Sequence, residues 1–109
     1  MSLIDKTTTI NIPAHVATVY QTILPALQNI KGLKFTRAKE NEFTIELDGK
    51  ISWWSWGEFV TVACRYVNDS MTTIEIVSRP KMPTTIVDYG KGSRNVKKVI
   101  DALHTVLNF

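Results

Sequence analysis

The apolar residues of this chain change their spacing three times, from every second position to every third or fourth, back to every second, and finally to every third or fourth again. A period of two marks a strand with one hidden face, and a period near 3.6 marks a helix with one hidden stripe. Both kinds of face must be buried against something, so the order strand, helix, several strands, helix leaves few solutions. The simplest is an antiparallel sheet whose single apolar face is covered by the two helices.

Thr7 to Ile12 is a β-branched run with Ile10 and Ile12 on one face, and Pro13 ends it. From Ala14 the spacing is helical, with Val16, Val19, Tyr20, Ile23, Leu24, Leu27 and Ile30 in one stripe and Pro13 suited to the first turn. Pro25 lies inside that stripe, where it removes a backbone bond and clashes with the preceding turn at about 3 kcal/mol. A bent helix, or two helices meeting near Leu24, is therefore expected, with Gly32 as the left-handed residue that closes the second.

Strands are expected over Leu33 to Arg37 and then through Phe43, Ile45 and Leu47, separated by the turn Lys39-Glu40-Asn41. Asp48-Gly49 reads as a tight turn, leading into a strand from Lys50 to Trp54 and a corner at Ser55-Trp56-Gly57. A long strand then runs from Glu58 to Val67, with Val60, Val62, Cys64 and Tyr66 on one face. After the turn Asn68-Asp69-Ser70, the segment from Thr72 to Ser78 points Ile74 and Ile76 inward, until Pro80 and Pro83 end the sheet. Lys81 to Gly92 is a polar connection. Ser93 is the expected N-cap of a last helix whose apolar face is Val96, Val99, Ile100, Leu103, Val106 and Leu107, with Lys97, Lys98, Asp101 and Thr105 outward. The fold class is α+β: a strand, a helix broken near Pro25, four to five antiparallel strands and a C-terminal helix, in one domain over 1–109.

That element order, together with Ile12-Pro13-Ala14, resembles two known architectures, the helix-grip fold of START-like lipid carriers and the birch-pollen-allergen family, and the TATA-binding-protein-like fold. Either resemblance implies a curved antiparallel sheet folded around a long helix. Ser52-Trp53-Trp54-Ser55-Trp56-Gly57-Glu58, Ser78-Arg79-Pro80, Pro83-Thr84-Thr85 and Asp88-Tyr89-Gly90-Lys91 resemble segments of small uncharacterised bacterial proteins. The resemblance to carriers implies a small apolar ligand held between the sheet and the last helix.

Composition excludes several classes. With 109 residues, 44% hydrophobic and 21% charged, the chain has the make-up of an ordinary folded domain. It contains no run approaching the 18 to 20 apolar residues, roughly, that a spanning helix needs, and a cytoplasmic location without membrane association is expected. Cys64 is the single cysteine, which rules out an internal disulfide and suits a small buried side chain. His15 and His104 stand 89 positions apart with no metal-ligand spacing around either. Neither a glycine-flanked serine nor a cysteine paired with a histidine is encoded, so no catalytic residue, cofactor or metal is expected. The carboxylates Glu42, Glu46 and Asp48 fit a solvated strand face.

Two features remain as candidate sites. Trp53, Trp54 and Trp56 fall within four positions, and in a strand Trp53 is out of phase with the other two. Each ring carries roughly 150 to 250 Å² of surface. The rings therefore cannot all share one face: some fit the core or the underside of a helix or loop, and at least one is expected to be exposed, where a ligand or a partner, a second copy of the chain included, would contact it. The other feature is charge: between positions 79 and 98, Arg79, Lys81, Lys91, Arg94, Lys97 and Lys98 face Asp88 alone, five net positive against +3 for the whole chain. Lys91, Ser93, Arg94 and Lys97 at the start of the last helix form a candidate anion site, with Asp88 or Glu58 as possible internal counter-charges. A sequence pI near 9.1 with one modest basic cluster and no reading motif does not suggest nucleic acid. The chain thus reads as a small binding or interaction module, with the helix-grip carrier as the alternative.

Overall fold

The computed structural model describes residues 6–49, 58–80 and 91–107. Strand β1 covers Lys6–Ile12 and helix α1 covers Val16–Leu27, followed by β2 at Leu33–Lys39 and a 3₁₀ turn at Glu40–Glu42. Strand β3 runs over Thr44–Gly49, β4 over Glu58–Asn68, β5 over Met71–Pro80, and helix α2 over Lys91–Val106. The five strands form one sheet in the order β1-β5-β4-β3-β2, antiparallel at every pairing.

This order dictates the path of α1. Since β1 and β2 are the two edges, the segment joining them must cross the whole sheet. Four inter-strand spacings amount to about 19 Å, and the 12 residues of α1 span about 18 Å. The helix lies across the face with Val16, Val19, Tyr20, Ile23 and Leu27 buried. Its entry is pinned by Thr72, fully buried on β5, whose Oγ1 donates to the Ala14 carbonyl at 2.7 Å. The helix begins later than its stripe suggests. His15 is the N-cap, its Nδ1 accepting from the Ala17 amide at 3.2 Å, and Pro13 precedes the cap.

The proline-associated break takes the form of an early end. The helix continues two residues past Pro25 and stops at Leu27, with Gln28 as C-cap. The second helix expected up to Gly32 does not form, because residues 28–32 close as turns in which the Asn29 side chain donates to the Pro25 carbonyl at 3.0 Å. Gly32 does adopt the left-handed conformation, with φ of 92°.

All core-facing strand residues share one parity: Ile45 and Leu47 on β3, Val60, Val62 and Cys64 on β4, Ile74 and Ile76 on β5. They form a single cluster with α1 and with Val96, Val99 and Leu103 of α2. Burial pushes the Cys64 thiol up to about 12, consistent with a small core side chain.

Five local expectations are corrected. Asp48-Gly49 is not a turn: both residues continue β3, pairing with Lys34 and Leu33 of β2. Phe43 precedes β3 in a left-handed conformation, φ 49°, and packs edge-on against Tyr20 with ring centroids 5.6 Å apart. Tyr66 has core parity but is 59% exposed: its ring lies edge-on to His15, with centroids 6.4 Å apart, and its hydroxyl donates to Asp69 at 2.8 Å. Helix α2 starts at Lys91, which places Ser93 in its first turn rather than at the cap, and its Val106 is exposed. The expected strand Lys50 to Trp54, the corner at 55–57 and most of the connection Lys81 to Gly92 lie outside the described residues.

Candidate functional site

Three polar residues break the apolar lining between sheet and α2, and they lie together. Glu58, the first residue of β4, is in phase with Val60 and Val62 and therefore points into the core, where it is 2% exposed. Ser78 of β5 is in phase with Ile74 and Ile76 and fully buried. It pairs with Val60, while Glu58 pairs with Pro80. Ser78 and Glu58 are thus diagonal neighbours on one face, with backbones about 7 to 8 Å apart. Asn95 lies one and two turns before Val99 and Leu103 on the buried stripe of α2 and is 1% exposed.

Gly49 closes the group. A Cβ built there would stand 2.9 Å from Glu58 Oε2 and 3.0 Å from Asn95 Nδ2, so the two side chains occupy the space that any larger residue in β3 would need. Its φ is not among the positive values. The requirement for glycine here is therefore room rather than backbone conformation.

The Ser78 hydroxyl and both amide atoms of Asn95 are buried and have no hydrogen-bond partner among the described residues. An amide or hydroxyl taken from water without a partner costs roughly 1 to 3 kcal/mol, and these three atoms add to the Tyr20 hydroxyl, which is buried without a partner beneath α1. The chemistry available is a carboxyl oxygen, a hydroxyl and an amide at the end of an apolar layer. Among the described residues no group of three His, Cys, Asp or Glu is placed to hold a metal ion.

The residues singled out by sequence are distributed differently. Trp53, Trp54 and Trp56 lie outside the described residues, as do the side chains of Lys91 and Ser93. Arg94 and Lys97 are exposed, and Lys97 Nζ sits 3.5 Å from Asp101 on its own helix. Glu58 borders Asn95 and Gly49 in the buried group just described. Glu46, as expected, stays on the solvated face. It accepts from Arg37 Nε at 2.9 Å and pairs with Lys39 at 3.0 Å, and these two contacts hold its carboxyl below the usual range.

Two surface hollows lie elsewhere. One of about 350 Å³ is on the sheet face away from the helices, lined by Arg37, Glu46, Asp48, Phe59 and Arg79 among others. The other, about 570 Å³, is a shallow groove between the end of α1 and the last turns of α2.

No family profile and no curated protein matches the chain. Solved structures do match it, at identities that speak for the fold alone. The chain superposes over 95% of its length on the di-domain ARO/CYC protein BexL of a biosynthetic pathway, with a TM-score of 0.66 and 10% identity, but spans only 46% of that protein. An uncharacterised protein from Bacillus thuringiensis gives a TM-score of 0.66 at 10% identity, covering 95% of this chain and 96% of that one. A START superfamily protein from Mycobacterium smegmatis gives 0.60 at 10% identity, covering 95% and 97%. The fold is the START-like helix-grip fold: an antiparallel sheet with a C-terminal helix docked along its apolar face.

Proposed function

We propose that the chain is a small binding module that holds an apolar ligand between the sheet and α2, with Ser78, Asn95 and Glu58 at the polar end of the site. The observation that carries this reading is the set of buried polar atoms on Ser78 and Asn95 left without a partner among the described residues, in the layer between sheet and helix. A bound molecule offering hydrogen bonds would recover the desolvation cost those atoms incur. The helix-grip fold supports the same location, since ligand sites favour the seams between packed elements.

The tryptophans fit the same reading. The segment that carries them joins Gly49 to Glu58, both members of the buried group. Trp56 stands two residues before Glu58 in the sequence. We assign Trp53, Trp54 and Trp56 to contacts with the ligand's apolar body.

Native mass spectrometry of protein purified without detergent or organic solvent tests this function. A retained small molecule, released on acid denaturation, is the expected result. A bare mass, together with no saturable binding of any apolar probe, would remove the reading.

A further inference from the structure

The hollow on the sheet face away from the helices is separate from the site proposed above and has a chemistry of its own. We infer that it is a second binding site, one for a small aromatic carboxylate whose ring lies on Phe59 and whose carboxylate is held by Arg79.

Phe59 alternates along β4 with Glu58 and Val60, which are both buried, so its ring stands on the opposite face, where it is 48% exposed. The hollow beside it, about 350 Å³, is lined on that face by Arg37, Glu46, Asp48, Thr61 and Arg79. Phe59 thus offers an accessible ring among polar neighbours. Phe59 and Arg79 are register partners on β4 and β5, an arrangement that sets their Cβ atoms about 5 Å apart on one face. The other charges around the hollow are engaged. Arg37 donates to Glu46 at 2.9 Å, Lys39 meets the second oxygen of Glu46 at 3.0 Å, and Asp48 has contacts of its own. Arg79 differs. This first cation of the basic stretch is exposed, and among the described residues it makes no ion pair and no side-chain hydrogen bond. A guanidinium whose planar fork is unused matches a carboxylate through two parallel hydrogen bonds, and a neighbouring ring rewards a guest that carries one. The volume is at the small end of ligand pockets, which suits a guest of about two fused rings.

The test is an NMR titration of the intact chain with 2-naphthoate, 2-naphthol and inorganic phosphate, followed at the backbone amides of Phe59, Thr61 and Arg79. 2-Naphthoate should shift these amides saturably. It should bind there at least about 10-fold more tightly than 2-naphthol, which keeps the ring without the charge, or phosphate, which keeps a charge without the ring. Arg79→Gln should weaken 2-naphthoate by about 10-fold. Because it alters an exposed position with no ion pair to lose, it should leave the urea midpoint unchanged. Phe59→Thr should weaken 2-naphthoate as well, and added salt should weaken it in the native chain. The inference is wrong if 2-naphthoate gives no saturable shift at these amides, if phosphate or 2-naphthol binds there equally well, or if Arg79→Gln keeps the native affinity. None of these results bears on a ligand between the sheet and α2, which is read from the core-facing methyls of Val60 and Ile76 on the other face.

Discussion

The side-chain amide of Asn95 on α2 sits 3.0 Å from the point where a Cβ on Gly49 of β3 would stand. Helix and sheet therefore meet at this end through a polar contact surface, whereas farther along α2 they meet through Val99 and Leu103, both fully buried. This is where the helix-grip architecture, otherwise an apolar layer, acquires hydrogen-bonding groups.

Gly49→Ala should disturb that surface directly. The added methyl would stand 2.9 Å from Glu58 Oε2 and 3.0 Å from Asn95 Nδ2, so two buried side chains must shift to admit it. Overpacking of this kind costs about 1 to 3 kcal/mol, to be read as a lowered urea midpoint.

Asn95→Leu should have the opposite effect on stability. It replaces an amide with two unpartnered buried atoms by an apolar side chain of similar size, removing a desolvation cost of roughly 1 to 3 kcal/mol. The variant should unfold at a higher urea concentration than the native chain, as expected where function is retained against stability. A lower midpoint would show that the amide is satisfied within the free protein.

Cys64 predicts a dependence on alkaline pH. Burial raises its thiol from 9.0 to about 12 in the folded chain. Once pH passes the unfolded value the unfolded chain releases this proton and the folded chain does not, so stability falls as pH rises between about 9 and 12. Tyr20, raised chiefly by burial, adds in the same direction. Urea unfolding at pH 7, 9 and 10.5 should show this decline in the native chain and a shallower one in Cys64→Ala, and Cys64 should resist thiol reagents until the chain unfolds.

Periodicity made most of the fold legible. The alternation of Ile74 and Ile76 placed β5, and the Val96-Val99-Leu103 stripe placed α2, because each is a local pattern that the final packing leaves intact. Where tertiary pairing overrode a local signal, the reading failed. Asp48-Gly49 has the residues of a turn but continues β3, since the glycine is required for space beneath Asn95. Tyr66 has core parity yet is exposed, its ring set edge-on to His15 at the start of α1 instead of in the core. The buried polar group went unrecognised, although its signal was present: Glu58 in phase with Val60, Ser78 in phase with Ile76, and Asn95 in phase with Val99. Each alone looks like an ordinary end of an apolar run. Only the pairing of β4 with β5 and the docking of α2 bring the three together.

The central claim is that ligand binds between the sheet and α2, and intermolecular NOEs to bound 2-naphthol test it most directly. The account predicts cross-peaks from the naphthyl ring to the methyls of Val60, Ile76 and Val99 and from its hydroxyl end to the Asn95 side-chain amide. Cross-peaks confined to Phe59 and its neighbours in the hollow on the opposite sheet face would contradict it.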